Sequence, residues 1–314
     1  MSASVARADR PRVGMVGGGQ LARMSAAPAA ALGIDFRVLA TSREESAAQV
    51  VSDVFLGAHD DEHAVLEFAD GCDVVTFDHE HVPPPILEKL EARGIAVRPG
   101  PHALINAQDK AIMRRTLEGA GAPVPAWRVV DSVGAAQEFA ELVGYPFILK
   151  TSRGGYDGKG VWRIEDGEQL AGVMSGELPP GAQWLAEEAV PFVQELSAQV
   201  ARSPSGQSVA YPVVRTVQAG GICSEVVAPA PGLDPERAVA AQRIALEIAG
   251  SLNATGMLAV EMFDTGEDLL VNELAMRPHN SGHWSIEGAV TSQFENHLRA
   301  VLDLPLGSPR LRAP

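Results

Sequence analysis

Residues 256–284 read GMLAVEMFDTGEDLLVNELAMRPHNSGHW. Apolar runs over residues 257–263 and 269–274 flank the turn-rich Asp264-Thr265-Gly266-Glu267-Asp268. That pattern predicts a β-hairpin with a five-residue loop. Pairing Phe263 with Val271 puts Glu261 directly opposite Glu273, on one face, because side chains alternate along a strand. Like charges so placed repel. A cation between them removes the conflict. Hard carboxylate oxygens with Asn272 beside them suit Mg²⁺, which keeps waters and phosphate oxygens as its other ligands. Taken alone, the pair reads more readily as a solvated hairpin followed by a polar loop, and the metal reading depends on the rest of the chain. Arg277-Pro278-His279-Asn280-Ser281-Gly282-His283 follows, dense in groups that hold anions.

The chain has 314 residues, enough for two or three domains around a large core, and 46% of them are hydrophobic. A formal charge of −15 with no basic arm or stripe speaks against a nucleic-acid partner. It leaves room for small anionic substrates, because a local cluster of Lys, Arg and metal outweighs a distant surface field. Cys72 and Cys223 have no metal-like spacing, which suits a reducing, cytoplasmic location. The opening MSASVARADRPR lacks the apolar centre of a signal peptide, and no apolar run approaches membrane-spanning length, so no membrane partner is expected. The closing GSPRLRAP reads as a loose tail or a cut end.

Residues 12–16 form a short apolar strand, followed by Gly17-Gly18-Gly19-Gln20-Leu21-Ala22, an Ala-rich helix to about Leu32 and a strand over 36–39. This is a Rossmann-like opening, whose glycines let backbone amides approach a ligand at the helix N-terminus. Gly17, Gly19 and Ala22 match G-x-G-x-x-A, but Ala40-Thr41-Ser42 stands where a ribose-binding acid belongs, which disfavours a dinucleotide. Residues 46–51 read as helical, and His59-Asp60-Asp61-Glu62-His63 as solvated surface. Residues 72–77 form a buried parallel strand. Asp78-His79-Glu80-His81-Val82-Pro83 lies at its carboxyl end, where open α/β sheets bind ligands. His79 and His81 find no third zinc ligand at suitable spacing. A plain polar loop leading into a helix at residues 83–85 is the other reading of this stretch. The first domain ends near Ala107.

Gln108-Asp109-Lys110 opens a helix to about Glu118, and residues 121–125 break the chain. A strand over 145–150 ends in Lys150, and another spans 161–164. Between them, Thr151-Ser152-Arg153-Gly154-Gly155-Tyr156-Asp157-Gly158-Lys159-Gly160 makes a basic, glycine-rich flap suited to a polyphosphate. It departs from a Walker A loop at Arg153 and Gly160. A strand over 184–191 leads to a hinge, strands over 194–200, 209–217 and 222–227 form a meander, and helices span 235–252 and 292–302.

This order resembles the ATP-grasp superfamily. GGGQLARM, HEHVP, QDK, LKTSRGGYDGKG, AEEAV with QELS, and NELAMRPHNSGHW resemble its N5-carboxyaminoimidazole ribonucleotide synthase family. The resemblance covers nearly the whole chain. It implies an α/β fold, α+β in part: a Rossmann-like pre-ATP-grasp domain over 1–107, a small ATP-grasp lobe over 108–190 and a large lobe over 191–314. It further implies ATP and Mg²⁺ as cofactors, and bicarbonate and 5-aminoimidazole ribonucleotide as substrates. In that chemistry ATP phosphorylates bicarbonate to carboxyphosphate, and the ribonucleotide amine takes up the carboxyl group, within de novo purine biosynthesis. A cytoplasmic homodimer is implied as well.

By the same resemblance Lys110 and Lys150 contact the nucleotide phosphates, and Gly155, Tyr156, Asp157, Gly158, Lys159, Gly160 and Val161 form the closing flap. Glu187, Glu188, Ala189 and Val190 hydrogen-bond adenine, mainly through backbone, and Glu195 takes the ribose hydroxyls. Glu261 and Glu273 hold Mg²⁺, with Asn272 adjacent. Arg277, His279 and Asn280 contact bicarbonate and carboxyphosphate. Gln20, Glu80, Tyr156 and Asp157 face the ribonucleotide. Gln218, counted with the nucleotide contacts, stands where many members have His. The family also continues into a small β-rich segment that supplies basic residues, whereas this sequence stops at Pro314. That departure predicts a chain that binds ATP and holds the ribonucleotide poorly. The competing readings are another ATP-grasp carboxylate-amine ligase, a nucleotide-binding form with little turnover, and a nicotinamide oxidoreductase built on the first domain.

Overall fold

The computed structural model describes residues 10–155 and 159–313, and three sheets organise them. In the first part, β1 (Arg12–Val16), α1 (Gln20–Ala31), β2 (Asp35–Ala40), β3 (Asp53–Leu56), α2 (Glu62–Phe68), β4 (Val74–Phe77), α3 (Pro84–Ala92), β5 (Ala96–Val97) and α4 (Pro101–Gln108) follow in order. The strands make a five-stranded parallel sheet, β3-β2-β1-β4-β5. All of β4 is buried, as a strand covered on both faces must be. The strand order reverses between β1 and β4. Residues 17–20 and 78–81 therefore share the crevice at the carboxyl edge where such sheets bind ligands.

Helix α5 (Lys110–Gly119) is capped by the Asp109 carboxylate, which accepts the Ala111 and Ile112 amides. Then come β6 (Trp127–Val130), α6 (Val133–Val143), β7 (Phe147–Thr151), β8 (Val161–Ile164), α7 (Gly167–Met174) and β9 (Trp184–Glu188). They form a four-stranded sheet, β6-β9-β7-β8, with Phe139, Phe147, Leu149, Ile164 and Leu170 in its core.

The third sheet holds β10 (Gln194–Arg202), β11 (Ser208–Ala210), β12 (Val214–Ala219), β13 (Ile222–Val227), β14 (Gly256–Asp264) and β15 (Leu269–Ala275). Its order is β13-β12-β10-β14-β15, with β11 beside β10. Helix α8 (Pro235–Ser251) buries Ala241, Ile244, Ala245 and Ile248, one face at helical spacing. After α9 (Ser285–Gly288), helix α10 (Gln293–Val301) wedges between the first and third sheets. Its Leu298 and Val301 pack with Val13, Met15 and Val74.

Residues 46–51 do not form the expected helix; they are turns, with the Ala47 amide bonded to the Gly18 carbonyl at 2.8 Å. A tertiary hydrogen bond to the glycine loop replaces the helical ladder. The charged run at 59–63 is partly helical, because Asp61 caps α2 by accepting the His63 and Ala64 amides. The hairpin register also differs in part. Glu261 does pair with Glu273, but Met262 pairs with Val271 and Phe263 with Leu270. Asp264 pairs with Leu269, which shortens the loop to residues 265–268. The difference is a β-bulge that leaves Asn272 as an extra residue in β15.

Candidate active site

The bulge decides what the hairpin presents. In a regular ladder Asn272 and Glu273 would point to opposite faces. Bulges re-aim side chains beside functional sites, and here Asn272 Oδ1 accepts from Lys150 Nζ at 3.4 Å while Glu273 Oε1 lies 3.2 Å from Lys110 Nζ. Both lysines thus converge on neighbouring residues of one strand. Lys110 is fixed from the other side by its own amide, which donates to the Ser152 carbonyl at 2.8 Å.

The opposed carboxylates differ electrostatically. Glu261 is pushed up to about 8 by burial and by the negative charges of Glu273 and Glu195. Burial acts on Glu273 too, but Lys110 and Lys150 overcome it and hold that carboxyl below its usual range. Two carboxylates that disfavour joint ionisation are the donor set a divalent cation relieves. Among the described residues no three His, Cys, Asp or Glu side chains are arranged to hold a metal. An ion here would take its remaining ligands from water and phosphate, which is the habit of Mg²⁺. The residues fit that ion.

Lys150 is held by a buried network. Its Nζ donates to Glu187 Oε2 at 2.7 Å, and Glu187 is 2% exposed. Burial alone would raise Glu187, but Lys150 and Arg114 bring it down to about 2. The Glu187 carboxylate is therefore engaged by protein cations. Sheet hydrogen bonds run as far as Glu188, whose amide donates to the Ala126 carbonyl at 2.9 Å; Ala189 and Val190 lie beyond the strand. Glu195 is opposite Phe263 on β10, two residues before Ser197, which is opposite Glu261. Alternation puts Glu195 and Glu261 on the same face.

The run after β15 joins the first sheet. Arg277 Nε donates to Glu80 Oε2 at 2.7 Å, and the Met276 amide to Glu80 Oε1 at 3.2 Å. Gln20 Nε2 donates to Asn280 Oδ1 at 3.4 Å. His279 Nδ1 meets Ser281 Oγ at 2.8 Å and accepts the Ser281 amide, so its Nε2 carries the proton, 4.0 Å from Glu261 Oε1. Burial and the nearby Arg277 lower His279 to about 3, so the ring is neutral at ordinary pH. The Gln293 amide clamps the backbone of His279 from both sides, with Gln293 Oε1 2.9 Å from its nitrogen and Nε2 2.8 Å from its oxygen.

One cleft of about 970 Å³ connects these groups. Gln20, Glu80, Arg277, His279 and Asn280 line it, as do Lys110, Glu261 and Glu273. Gly155, Lys159 and Val161 border it from the flap side, and Gln218 and Cys223 from the meander. Gly160 closes the flap base, its carbonyl accepting the Thr151 amide at 2.9 Å. Lys150, Asn272, Glu195 and residues 187–190 are not on the cleft wall; Lys150 and Asn272 join it through their bonds to the groups above. Tyr156, Asp157 and Gly158 lie outside the described residues.

Two amides of the glycine loop are already taken, that of Gly17 by the Leu39 carbonyl and that of Gly19 by the Asp78 carboxylate. A Cβ on Gly17 would sit 2.7 Å from Asp78 Cβ. An acidic side chain thus fills the place of a pyrophosphate. Sequence reasoning missed Arg114, which is fully buried and forks onto Glu187. Its signal was spacing: it lies three residues from both Ala111 and Leu117, on the apolar face of α5.

Two family models match. The ribonucleotide synthetase preATP-grasp domain matches residues 11–108, and the ATP-grasp domain residues 115–294. N5-carboxyaminoimidazole ribonucleotide synthase from Mycobacterium leprae is 54% identical over 312 residues, covering 97% of this chain and 71% of that protein. The crystal structure of N5-carboxyaminoimidazole ribonucleotide synthetase from Thermus thermophilus superposes with a TM-score of 0.89 at 41% identity, covering 96% of this chain and 81% of that one. The synthase from Aspergillus clavatus, solved with ADP and 5-aminoimidazole ribonucleotide, gives a TM-score of 0.89 at 32% identity, over 96% of this chain and 80% of that one. With the paired glutamates, Lys110 and the arginine–histidine run in one cleft and Lys150 bonded to its wall through Asn272, these matches place the chain in the N5-carboxyaminoimidazole ribonucleotide synthase family of ATP-grasp ligases.

Proposed function

We propose that this cleft transfers the γ-phosphoryl group of ATP to bicarbonate, and that the carboxyl group of the resulting carboxyphosphate passes to the exocyclic amine of 5-aminoimidazole ribonucleotide. The products are N5-carboxyaminoimidazole ribonucleotide, ADP and phosphate. One observation carries the reading: Lys110 and Lys150 converge on the bulged Asn272-Glu273 pair, and Lys110 and Glu273 line the same cleft as Arg277, His279 and Asn280.

Such a reaction needs positioning and charge stabilisation more than covalent help. Lys110 and Lys150 hold the phosphates. Glu261 and Glu273, with Asn272 adjacent, would hold Mg²⁺, which supplies charge neutralisation on the transferring phosphoryl oxygens when bound. Arg277, His279 and Asn280 bind bicarbonate and then carboxyphosphate. Neutral His279, with its proton on Nε2, donates a hydrogen bond to an oxyanion without losing the proton. Glu80 and Gln20, with Tyr156 and Asp157, face the ribonucleotide. Residues 155–161 exclude water, which matters because carboxyphosphate hydrolyses readily. Glu188, Ala189 and Val190 meet adenine through backbone, Glu195 takes the ribose, and Gln218 stands on the nucleotide side. Glu187 contributes through Lys150.

The division into 1–107, 108–190 and 191–314 follows the three sheets. A cytoplasmic homodimer completes the reading; two unpaired cysteines suit a reducing compartment. No helix among the described residues is long and apolar enough to cross a membrane.

The test is ADP release and product formation with ATP, Mg²⁺ and bicarbonate, with and without 5-aminoimidazole ribonucleotide. Acceptor-dependent formation of the N5-carboxylated product is expected. Stimulation by a different amine acceptor, with none by the aminoimidazole, would assign the cleft to another carboxylate-amine ligation.

A further inference from the structure

Arg114 is the largest fully buried side chain of the described residues. Arginine is almost never buried unless paired, and a buried ion pair is a poor way to gain stability, since apolar residues of similar volume do as well or better. Its contacts show where it acts. Nε donates to Glu187 Oε1 at 2.8 Å and Nη2 to Glu187 Oε2 at 3.1 Å, while Nη1 donates to the Val271 carbonyl at 2.9 Å. Glu187 Oε2 also accepts from Lys150 Nζ at 2.7 Å, and Lys150 reaches Asn272 Oδ1 at 3.4 Å. The circuit closes, because Asn272 follows Val271 in the bulge.

Lys110 stands one helical turn before Arg114 on α5 and meets Glu273 at 3.2 Å. One helix face therefore grips β15 on both sides of the bulged Asn272: Arg114 at Val271, Lys110 at Glu273. The charges are arranged to match. Two cations share one carboxylate, and the fork from Arg114 occupies both of its oxygens. Lys150 is held without being neutralised, which keeps its charge for an anion.

We infer that Arg114 is a positioning residue for the nucleotide phosphates: through Glu187 it sets Lys150, and through the Val271 carbonyl it sets the bulge that aims Asn272 and Glu273. This rests on the reading of Lys150 as a phosphate contact. Lysine at position 114 keeps the charge but cannot fork a carboxylate and reach a carbonyl at once.

The test is steady-state kinetics of the full chain carrying Arg114→Lys, the double substitution Arg114→Met with Glu187→Gln, or Lys150→Met. The double variant removes the Arg114–Glu187 pair as a unit and leaves Lys150 Nζ to the side-chain oxygens of the introduced glutamine and of Asn272; far-ultraviolet dichroism and the unfolding midpoint of each variant establish that it is folded. KM for ATP is expected to rise about ten- to a hundredfold in Arg114→Lys and in the double variant, the loss seen when the outer partners of a ligating group are removed. KM for bicarbonate and for the ribonucleotide should stay within about twofold, a split that general loss of stability does not produce. Unchanged KM for ATP in both Arg114 variants, with KM raised in Lys150→Met, overturns the positioning role alone. Unchanged KM in Lys150→Met overturns the phosphate assignment and the positioning role with it.

Discussion

Glu261 stands directly opposite Glu273 across the β14–β15 hairpin, and the two carboxyls are driven in opposite directions, Glu261 up to about 8 and Glu273 below its usual range. Lysines hold Glu273, whereas burial and its acidic neighbours press on Glu261. A cation shared by both would end that asymmetry. Glu273→Gln therefore removes a metal donor and the partner of Lys110 together. Its kcat for carboxylation is expected to fall by more than about a hundredfold, exceeding the loss from an outer partner, while the far-ultraviolet dichroism and unfolding midpoint stay near wild type. Retained turnover at saturating Mg²⁺ would remove Glu273 from the metal site.

Glu80 and Arg277 tie the edge of the first sheet to the loop that follows β15, at 2.7 Å. In Glu80→Gln the side-chain carbonyl still accepts the Met276 amide, but Arg277 loses its counter-charge. A hydrogen bond to a charged group contributes about 1.5–3 kcal/mol. Acceptor-dependent kcat/KM is then expected to drop roughly ten- to a hundredfold. Bicarbonate-dependent ADP release without acceptor should fall by less, because the lysines and the glutamate pair are untouched and Arg277 keeps its own charge. Equal loss of both activities would move Glu80 out of the ribonucleotide side of the cleft.

Much of this site was legible in the sequence. The opposition of Glu261 and Glu273 follows from strand alternation and a turn signal, both local properties. The parallel opening of the chain follows from an apolar strand, a glycine loop and a helix in sequence. The bulge at Asn272 was not legible, because one extra residue leaves the apolar pattern of residues 269–271 and 274–275 intact. Arg114 was missed for another reason: arginine on an amphipathic helix is usually solvated, and only its partners on β9 and β15 reveal otherwise. Residues 46–51 failed because the Gly18 carbonyl, far away in sequence, competes for the Ala47 amide.

Gly256 opens β14 at φ 103°, and a Cβ there would lie 3.0 Å from the His297 ring and 3.3 Å from Val301. Gly256→Ala meets both a disfavoured backbone conformation and crowding in the core, together about 2 kcal/mol or more. Gly250, inside α8, has nothing within 4 Å of its Cβ position. Gly250→Ala should be neutral or stabilising by up to about 1 kcal/mol, the helix propensity difference. Urea unfolding of the two variants is expected to move the midpoint in opposite directions, or to leave Gly250→Ala unmoved. A Gly256→Ala midpoint at or above wild type contradicts the packing argument.

His297 joins three elements without exposure to solvent. Its Nε2 donates to Thr76 Oγ1 of β4 at 2.8 Å, and its Nδ1 accepts the Met257 amide of β14 at 3.1 Å. Both nitrogens are committed, so the ring is neutral, and burial lowers it to about 3. The unfolded chain carries this histidine near its ordinary value of about 6.5. Below that value the unfolded state takes up a proton that the folded state refuses. The stabilisation is thus complete above about pH 6.5 and declines as pH falls toward 3, by about 2 kcal/mol at pH 5. His297→Gln is expected to be less stable at pH 7 and to lose less on going from pH 7 to pH 5 than wild type. Urea midpoints at the two pH values measure this directly, and the comparison cancels the buried His79 and His279, which both proteins share. An equal shift in the two proteins would mean that His297 does not carry the acid sensitivity.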